Sequence, residues 1–306
     1  MTKTHRLAAT LCLFALRILG ETAILALAST VFTGCSSLSG APIVDTPLAT
    51  HSYILAGQGS PTVVFEAGLG DGKETWGPVY QQVSGFAQAF AYDRAGYGHS
   101  RSSNTSRDGA TIVRELGSTL GALQLKPPFV LVGHSIGGTY LELFARTYPQ
   151  DVAGVVLVDA RHSDFTRRCL DAHAPGCRPP AALMMLMPGP VKREFAGAAD
   201  TESAIRRAGE FPDVPLAVLS SGRTAPLTGA GFHKVWLASQ ADLAQLSSRS
   251  THEVCASCGH YVHRDDPERV VAAIRAVVAE ARALRSAQTE PVSPELIELP
   301  DAFLER

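Results

Sequence analysis

The sequence predicts an α/β fold, with a mostly parallel sheet flanked by helices. Short β-branched and apolar runs alternate along the chain with longer segments of helical periodicity. That order is typical of a parallel sheet covered on both faces. The chain has 306 residues and 45% of them are hydrophobic, which is enough to bury a substantial core in one α/β domain with insertions or in two small domains.

The individual elements follow from apolar runs bounded by turn residues and from helix start signals such as Pro267. Strands are predicted over residues 52–56, 62–66, 87–92, 129–132, 152–158, 214–220 and 253–256. Helices are predicted over residues 75–83, 110–123, 139–146, 234–246 and 266–284.

The alternation of strands and helices is interrupted once, between two core strands. The interrupting segment contains several prolines and a methionine-rich run at Met184, Met185 and Met187, which indicates a small cap insertion. Two interpretations of the methionines stay open: an adaptable apolar wall for a substrate, and core packing on a buried amphipathic helix. The predicted segments are a signal peptide (1–34), a tether (35–50), the α/β core (51–159 and 213–285), the cap (160–212) and a C-terminal tail (286–306).

The N-terminal segment has the pattern of a secretory signal. A positively charged start is followed by an apolar stretch over residues 22–32 and by the small residues Thr33 and Gly34. Cys35 directly after Gly34 resembles a bacterial lipoprotein signal, in which the cysteine is lipidated. The sequence therefore predicts an exported protein, periplasmic or at the cell surface, held to a membrane by a lipid on Cys35. An ordinary signal peptide and an uncleaved anchor are the alternatives, although the run is short for a span of about 20 residues.

Four cysteines follow Cys35, and an even number in an exported chain indicates two disulfides. Local pairing would join Cys169 to Cys177 and Cys255 to Cys258, whereas crossed pairing would connect the two regions. A four-cysteine zinc site is the rival interpretation, because residues 255–258 form C-x-x-C. The other two cysteines are too widely spaced for a second such motif, so no metal and no cofactor are predicted.

The charge distribution gives no indication of a nucleic-acid partner. The formal net charge is −2, charged residues make up 18% of the chain, and no basic block occurs. Nucleic-acid binding proteins carry clustered basic residues, so no nucleic-acid partner is predicted; the small-molecule substrate expected of this chain follows from the motifs described below.

The most informative stretch is Gly133-His134-Ser135-Ile136-Gly137-Gly138, which lies between a predicted strand and a predicted helix. G-x-S-x-G in that context is the nucleophile elbow, a tight turn that exposes a serine above the sheet. Small residues are required at Gly133 and Gly137 because the strained turn brings the strand and helix close together. Ser135 is therefore the candidate nucleophile.

Four motifs in order resemble the α/β-hydrolase superfamily, and the resemblance covers about residues 52–284. Glu66-Ala67-Gly68-Leu69 stands where the family usually has His-Gly-x. Residues 93–100, Asp-Arg-Ala-Gly-Tyr-Gly-His-Ser, resemble the family's D-x-x-G-x-G-x-S turn. The third motif is the elbow, and the fourth is Gly259-His260 before the last helix, which resembles the terminal histidine loop.

The resemblance implies a catalytic triad. His260 is the candidate base because it lies between the last strand and the last helix, and His263 is its nearest rival. Many family members place the acid after the strand that precedes the histidine loop, but residues 220–226 contain no carboxylate. Asp159 ends the strand after the elbow helix, where some members carry the acid. It is the candidate here, with Asp164 and Asp242 as alternatives.

The resemblance also implies an oxyanion hole made by the backbone N–H groups of Leu69 and Ile136. The expected activity is hydrolysis of an ester, or of a small amide, through an acyl-enzyme on Ser135. Epoxide and haloalkane hydrolysis are disfavoured because those relatives use an aspartate nucleophile. Two other interpretations use the same fold: an inactive surface binding lipoprotein and an acyltransferase.

Overall fold

The computed structural model describes residues 42–177, 181–224 and 229–289. The predicted signal peptide, Cys35 and most of the predicted tail lie outside the described residues. The predicted fold is confirmed: an eight-stranded, mostly parallel sheet with flanking helices and a cap insertion.

The strands of the sheet are β1 (Ile43–Asp45), β2 (Thr50–Ala56), β3 (Thr62–Glu66), β4 (Ala89–Tyr92), β5 (Phe129–His134), β6 (Val152–Val158), β7 (Leu216–Ser221) and β8 (Ser250–Cys255). They follow the spatial order β1-β2-β4-β3-β5-β6-β7-β8. Strands β1 and β2 are antiparallel to their neighbours, and the other six run parallel to one another. The carboxyl ends of these six strands therefore meet at one edge, where open α/β sheets hold their ligands.

The helices that flank the sheet are α1 (Gly77–Ser84), α2 (Gly109–Ala122), α3 (Ile136–Thr147), α4 (Phe165–Asp171), α5 (Ala181–Leu186), α6 (Gly189–Ala196), α7 (Ala198–Arg207), α8 (Gly229–Leu243), α9 (Val262–Asp265) and α10 (Pro267–Thr289). They cover both faces of the sheet, and 3-10 turns at Lys73–Trp76 and Pro149–Asp151 precede α1 and β6. Helices α4 to α7 form the cap between β6 and β7.

The central strands are apolar throughout because both of their faces are buried. On one face, Val130 of β5 and Val156 of β6 share a core with Ile274 of α10. On the other face, Leu131 of β5 shares a core with Leu141 of α3. Successive side chains of a strand point to opposite faces, so one continuous apolar run serves two cores.

Both ends of the described chain differ from the sequence-based expectation. The sequence predicts a tether through residue 50, whereas Ile43–Asp45 forms β1 and pairs with β2. A turn closed by a hydrogen bond from the Thr46 amide to the Ala49 carbonyl, at 2.9 Å, makes this pairing possible. The last helix is predicted to end near Leu284 but continues to Thr289, because Ala- and Arg-rich sequence keeps helical propensity.

Two boundaries beside the cap and the histidine loop also differ from the prediction. Helix α8 begins at Gly229 rather than at Lys234, and β8 begins at Ser250 rather than at Glu253. The strand β8 is an edge strand with mostly exposed side chains, so the apolar pattern that marks the other strands is absent from its first half.

The cysteines form two local disulfides. Cys169 is bonded to Cys177 in the cap, and Cys255 to Cys258 at the end of β8. The sequence left local and crossed pairing open, and the structure has the local pairing. A disulfide sulfur is no longer a thiolate, the form of cysteine that ligates zinc, so this arrangement does not match the four-cysteine zinc alternative.

Within residues 42–177, 181–224 and 229–289, no helix is both long enough and apolar enough to cross a membrane.

Candidate active site

The elbow places Ser135 at the carboxyl edge of the sheet, between β5 and α3. Its backbone has φ 54° and ψ −127°, which is a strained region for a residue with a side chain. A Cβ at Gly133 would lie 2.6 Å from the Gly138 Cα atom, and a Cβ at Gly137 would lie 2.5 Å from the Ala67 carbonyl oxygen. Glycine is therefore the residue that lets the strand, the turn and the helix approach this closely.

His260 lies on the loop between β8 and α9 and reaches the elbow from the far end of the chain. Its Nε2 atom is 3.0 Å from Ser135 Oγ. The Cys255–Cys258 disulfide closes the turn just before it, and the side chain is 36% exposed. An imidazole at this distance can accept the hydroxyl proton, so the predicted nucleophile and base are brought together.

Asp159 follows β6 and completes the line on the other side of the imidazole. Its Oδ2 atom is 2.7 Å from His260 Nδ1, and the residue is 1% exposed. A buried carboxylate in this position fixes which ring nitrogen of His260 carries the proton and stabilises the imidazolium. The structure thus brings the three predicted triad residues into one hydrogen-bonded row.

Two residues that the sequence analysis missed, Ser221 and Trp236, hold the Asp159 carboxylate. Ser221 donates to it from its amide (2.8 Å) and from its hydroxyl (3.0 Å). Trp236 of α8 donates its indole N–H at 2.9 Å. Ser221 ends β7, the strand after which the acid is usually expected. That strand end supplies donors to the acid instead of the acid itself.

The alternative candidates lie elsewhere. His263 is fully buried with its Nε2 atom 2.9 Å from Thr75 Oγ1, and burial lowers its pKa to about 3. Asp164 is 2.8 Å from Arg167, and Asp242 pairs with Arg168 on the surface. Both carboxylates are therefore paired with arginines, and neither is hydrogen-bonded to His260.

His134, beside the nucleophile, packs beneath His260. Its ring centroid lies 4.7 Å from that of His260, and its Nε2 atom is 2.9 Å from the His260 carbonyl oxygen. The carbonyl can only accept, so Nε2 carries the proton. Burial, followed by the nearby His260 and His263, lowers the pKa of His134 well below its ordinary value. A neutral His134 therefore donates to the backbone of the histidine loop.

Leu69 and Ile136, the predicted oxyanion-hole residues, both line the cavity in front of Ser135. Ile136 is the first residue of α3, so its amide has no acceptor one helical turn earlier. Leu69 lies on the loop after β3, next to Gly68. A Cβ at Gly68 would lie 2.7 Å from His134 Nδ1, which keeps this loop close to the elbow.

A cavity of about 740 Å³ opens in front of the row. Most of its wall is apolar, and besides the triad residues it includes Arg161 and Glu202, which form an ion pair at 3.0 Å, and Arg223. The predicted methionine wall is wrong in part, because Met184 lines the cavity whereas Met185 is 79% exposed. The aromatic side chains of the wall are Phe165, Phe195, Phe232 and Trp236.

Residues 63–273 match the family model described as "Alpha/beta hydrolase family", and the chain belongs to that family. The uncharacterized protein YqjL of Bacillus subtilis (strain 168) is 32% identical over 229 residues, which are 74% of this chain and 87% of that protein. A haloalkane dehalogenase of Mesorhizobium japonicum is 30% identical over 132 residues, 42% of this chain and 41% of that protein.

Among solved structures, this chain is similar to a thermophilic esterase from Thermogutta terrifontis. The TM-score is 0.55 at 19% identity, with 79% of this chain and 99% of that chain covered. At this identity the likeness shows the fold, and fold alone does not define chemistry. The chemistry must be argued from Ser135, His260 and their neighbours.

The row of hydrogen bonds predicts unequal roles for two aspartates. Asp159→Asn should slow the labelling of Ser135 by a fluorophosphonate by about 10²- to 10⁴-fold, because an amide favours the wrong tautomer of His260. Asp242→Asn, the matched surface variant, should change the rate by less than about two-fold, since exposed ion pairs contribute little. The second-order labelling rate constant measures both, and the reverse order would overturn the assignment of the acid.

Proposed function

We propose that this protein is a serine hydrolase that cleaves a carboxylic ester through an acyl-enzyme on Ser135. The observation that carries the proposal is the row Ser135 Oγ, His260 and Asp159, with contacts of 3.0 and 2.7 Å. All three residues line a mostly apolar cavity. A serine hydroxyl is a weak nucleophile by itself, and a base at hydrogen-bond distance activates it.

In the proposed acylation, Ser135 Oγ attacks the ester carbonyl while His260 Nε2 takes the hydroxyl proton. Asp159 keeps the Nδ1–H in place and stabilises the imidazolium. The amides of Leu69 and Ile136 donate to the oxyanion of the tetrahedral intermediate. His260 then protonates the alcohol as the C–O bond breaks. Water, deprotonated by His260, then attacks the acyl-enzyme carbonyl. The bond to Ser135 Oγ breaks, His260 returns a proton to that oxygen, and the carboxylic acid product leaves.

The side chain at the elbow also separates ester hydrolysis from halide displacement. A carboxylate nucleophile that displaces a halide forms an alkyl ester, which water can cleave at its carbonyl. Ser135 would form an ether in the same step, and an ether has no carbonyl for water to attack. The hydroxyl therefore supports acyl chemistry, even though a dehalogenase is among the relatives of this chain.

The composition of the cavity wall supports an apolar acyl group. Phe165, Phe195 and Phe232 face the cavity together with Met184. Burying apolar surface stabilises a bound ligand by about 0.8 kcal/mol for each CH₂ group removed from water. An acyl chain that fills this space gains binding energy that a short acyl group cannot.

Hydrolysis of 4-nitrophenyl esters tests the proposal directly. The wild-type protein should release nitrophenol, and Ser135→Ala should lose at least about 10³-fold in kcat because the nucleophile is absent. Mass spectrometry after a rapid acid quench should find the acyl group on the peptide that contains Ser135. Folded wild-type protein with no activity would support the inactive binding protein instead. Ester formation with an added alcohol, in preference to hydrolysis, would support the acyltransferase.

Specificity for acyl length tests the role of the cavity. In an ester series from acetyl to dodecanoyl, kcat/KM should rise by up to about four-fold per CH₂ until the cavity is filled. Phe195→Ala, which enlarges the cavity, should move the optimal acyl length to longer chains. Leu186→Ala is the control because that side chain is 84% exposed. A flat profile, or an unchanged optimum in Phe195→Ala, would contradict this assignment of the acyl site.

We also propose export and attachment to a bacterial membrane through a lipid on Cys35. The support is the sequence pattern of a positive start, an apolar run and Gly34-Cys35. Cys35→Ser should abolish incorporation of radiolabelled palmitate and move the protein from the membrane fraction to the soluble one. Cys12→Ser, inside the signal, should change neither. Palmitate incorporation that persists in Cys35→Ser would contradict the proposal.

A further inference from the structure

Arg94 is a buried arginine whose guanidinium donates all five of its N–H groups. It follows β4 in the Asp-Arg-Ala-Gly turn and is 1% exposed. Two donors go to main-chain oxygens of the loop after β3, namely Ala67 O at 2.7 Å and Gly68 O at 2.8 Å. The other three go to carboxylates, one to Glu66 at 2.6 Å and two to Glu194 at 2.8 Å each.

The bond from Arg94 to the Gly68 carbonyl oxygen matters because that oxygen belongs to the peptide unit between Gly68 and Leu69. The Gly68 C=O and the Leu69 N–H belong to one planar trans peptide unit, so they point in opposite directions. A donor that fixes the carbonyl therefore fixes the direction of the N–H. We infer that Arg94 is a positioning residue that holds the Leu69 N–H toward the oxyanion in the cavity.

The same loop also packs against the elbow. The missing Cβ of Gly137 leaves room for the Ala67 and Glu66 carbonyl oxygens, each 2.5 Å from the position that a Cβ would take. The loop thus contacts both the guanidinium of Arg94 and the first turn of α3, which carries the second proposed donor, Ile136. These contacts hold the Leu69 and Ile136 N–H groups in fixed positions relative to each other.

The cap enters this arrangement through Glu194 of α6. Its carboxylate takes two bonds from Arg94 and one from the Tyr97 hydroxyl at 3.1 Å. Burial lowers the pKa of Arg94, but the Glu194 and Glu66 carboxylates outweigh it and hold that pKa well above its ordinary value. The guanidinium stays charged, and its orientation depends on a helix of the cap.

This inference rests on the proposed ester hydrolysis, and its test compares an ester with its thionoester. Sulfur accepts hydrogen bonds weakly, so the rate ratio of ester to thionoester reports what the oxyanion donors contribute. Arg94→Lys keeps the charge but loses the planar fork. Its kcat on the ester should fall about 10- to 100-fold, against about 10²- to 10³-fold when a donor is removed outright. KM should change by less than about three-fold, and the ester-to-thionoester ratio should fall at least about five-fold.

Arg107→Lys is the matched control. Arg107 is equally buried and bonds Glu115 at 2.7 Å through both carboxylate oxygens, in the same charged cluster. Arg107 also lies 3.9 Å from Glu194, a longer contact than the two 2.8 Å bonds that Arg94 makes to that carboxylate. Arg107→Lys should lower the melting temperature as much as Arg94→Lys but leave the ester-to-thionoester ratio unchanged, because its hydrogen bonds go to Glu115 and not to the loop after β3. Titration of active sites with a fluorophosphonate corrects each rate for the folded fraction.

A second variant covers the case in which Arg94→Lys does not fold. Glu194→Gln keeps the shape but offers one acceptor where Arg94 needs two, so the ratio should fall in the same direction by a smaller factor. An unchanged ratio in a folded, titratable variant would overturn the inference while leaving the proposed function intact. Wild-type protein that hydrolyses neither substrate would overturn the proposed function itself, and the inference with it.

Discussion

The hydrogen bond of 2.7 Å between Asp159 Oδ2 and His260 Nδ1 is the contact on which the site depends. It joins two residues that are 101 positions apart in sequence and that lie on the loops after β6 and β8. Because parallel strands present their carboxyl ends at one edge, Asp159, His260 and the elbow lie close together in space although they are far apart in sequence. A sheet built in another order would separate them.

The same carboxylate shows how the site is specified beyond its reacting atoms. Asp159 is buried, and a buried carboxylate is costly unless it is fully hydrogen-bonded. Ser221 and Trp236 donate three bonds to it, and His260 provides the fourth. The residues of β7 and α8 therefore set the orientation of the Asp159 carboxylate before any substrate is present. The carboxylate in turn orients the His260 imidazole through their hydrogen bond.

Local sequence signals were sufficient for the parts of the site that depend on local geometry. Ser135 and His260 stand in short motifs whose glycines are needed for tight turns, so both residues could be predicted from their sequence neighbours. The position of Asp159 needed the order of the strands. Ser221 and Trp236 could not be found in this way, because a serine at a strand end and a tryptophan on a helix have many possible partners. What selects Asp159 as their partner is tertiary packing.

The cap and the ends of the described chain contain features that local sequence could not predict. A methionine-rich run predicts apolar contacts, but which of Met184 and Met185 faces inward depends on how short helices are set against the core. Strand β1 is three residues long, too short for periodicity to reveal it, and it exists because β2 offers an edge to pair with. Such features are decided by neighbours rather than by their own sequence.

A buried cluster of charge connects these separate parts. Arg94 lies between a carboxylate of the core and a carboxylate of the cap, and removing one partner from such a pair costs about 3–5 kcal/mol. The cluster therefore ties the folding of the cap to that of the core. A buried ion pair adds little to the free energy of unfolding. Its main effect here is to fix the position of the loop after β3.

The placement of the tryptophans has a spectroscopic consequence. The chain has two tryptophans, and each lies beside an imidazole in the site or next to it. The Trp236 ring lies edge-on to His260 with centroids 5.6 Å apart, and the Trp76 ring packs against His263 at 4.5 Å. The emission of an indole responds to the charge and polarity around it. The intrinsic fluorescence of this protein is therefore a built-in reporter of the imidazoles, with no label introduced.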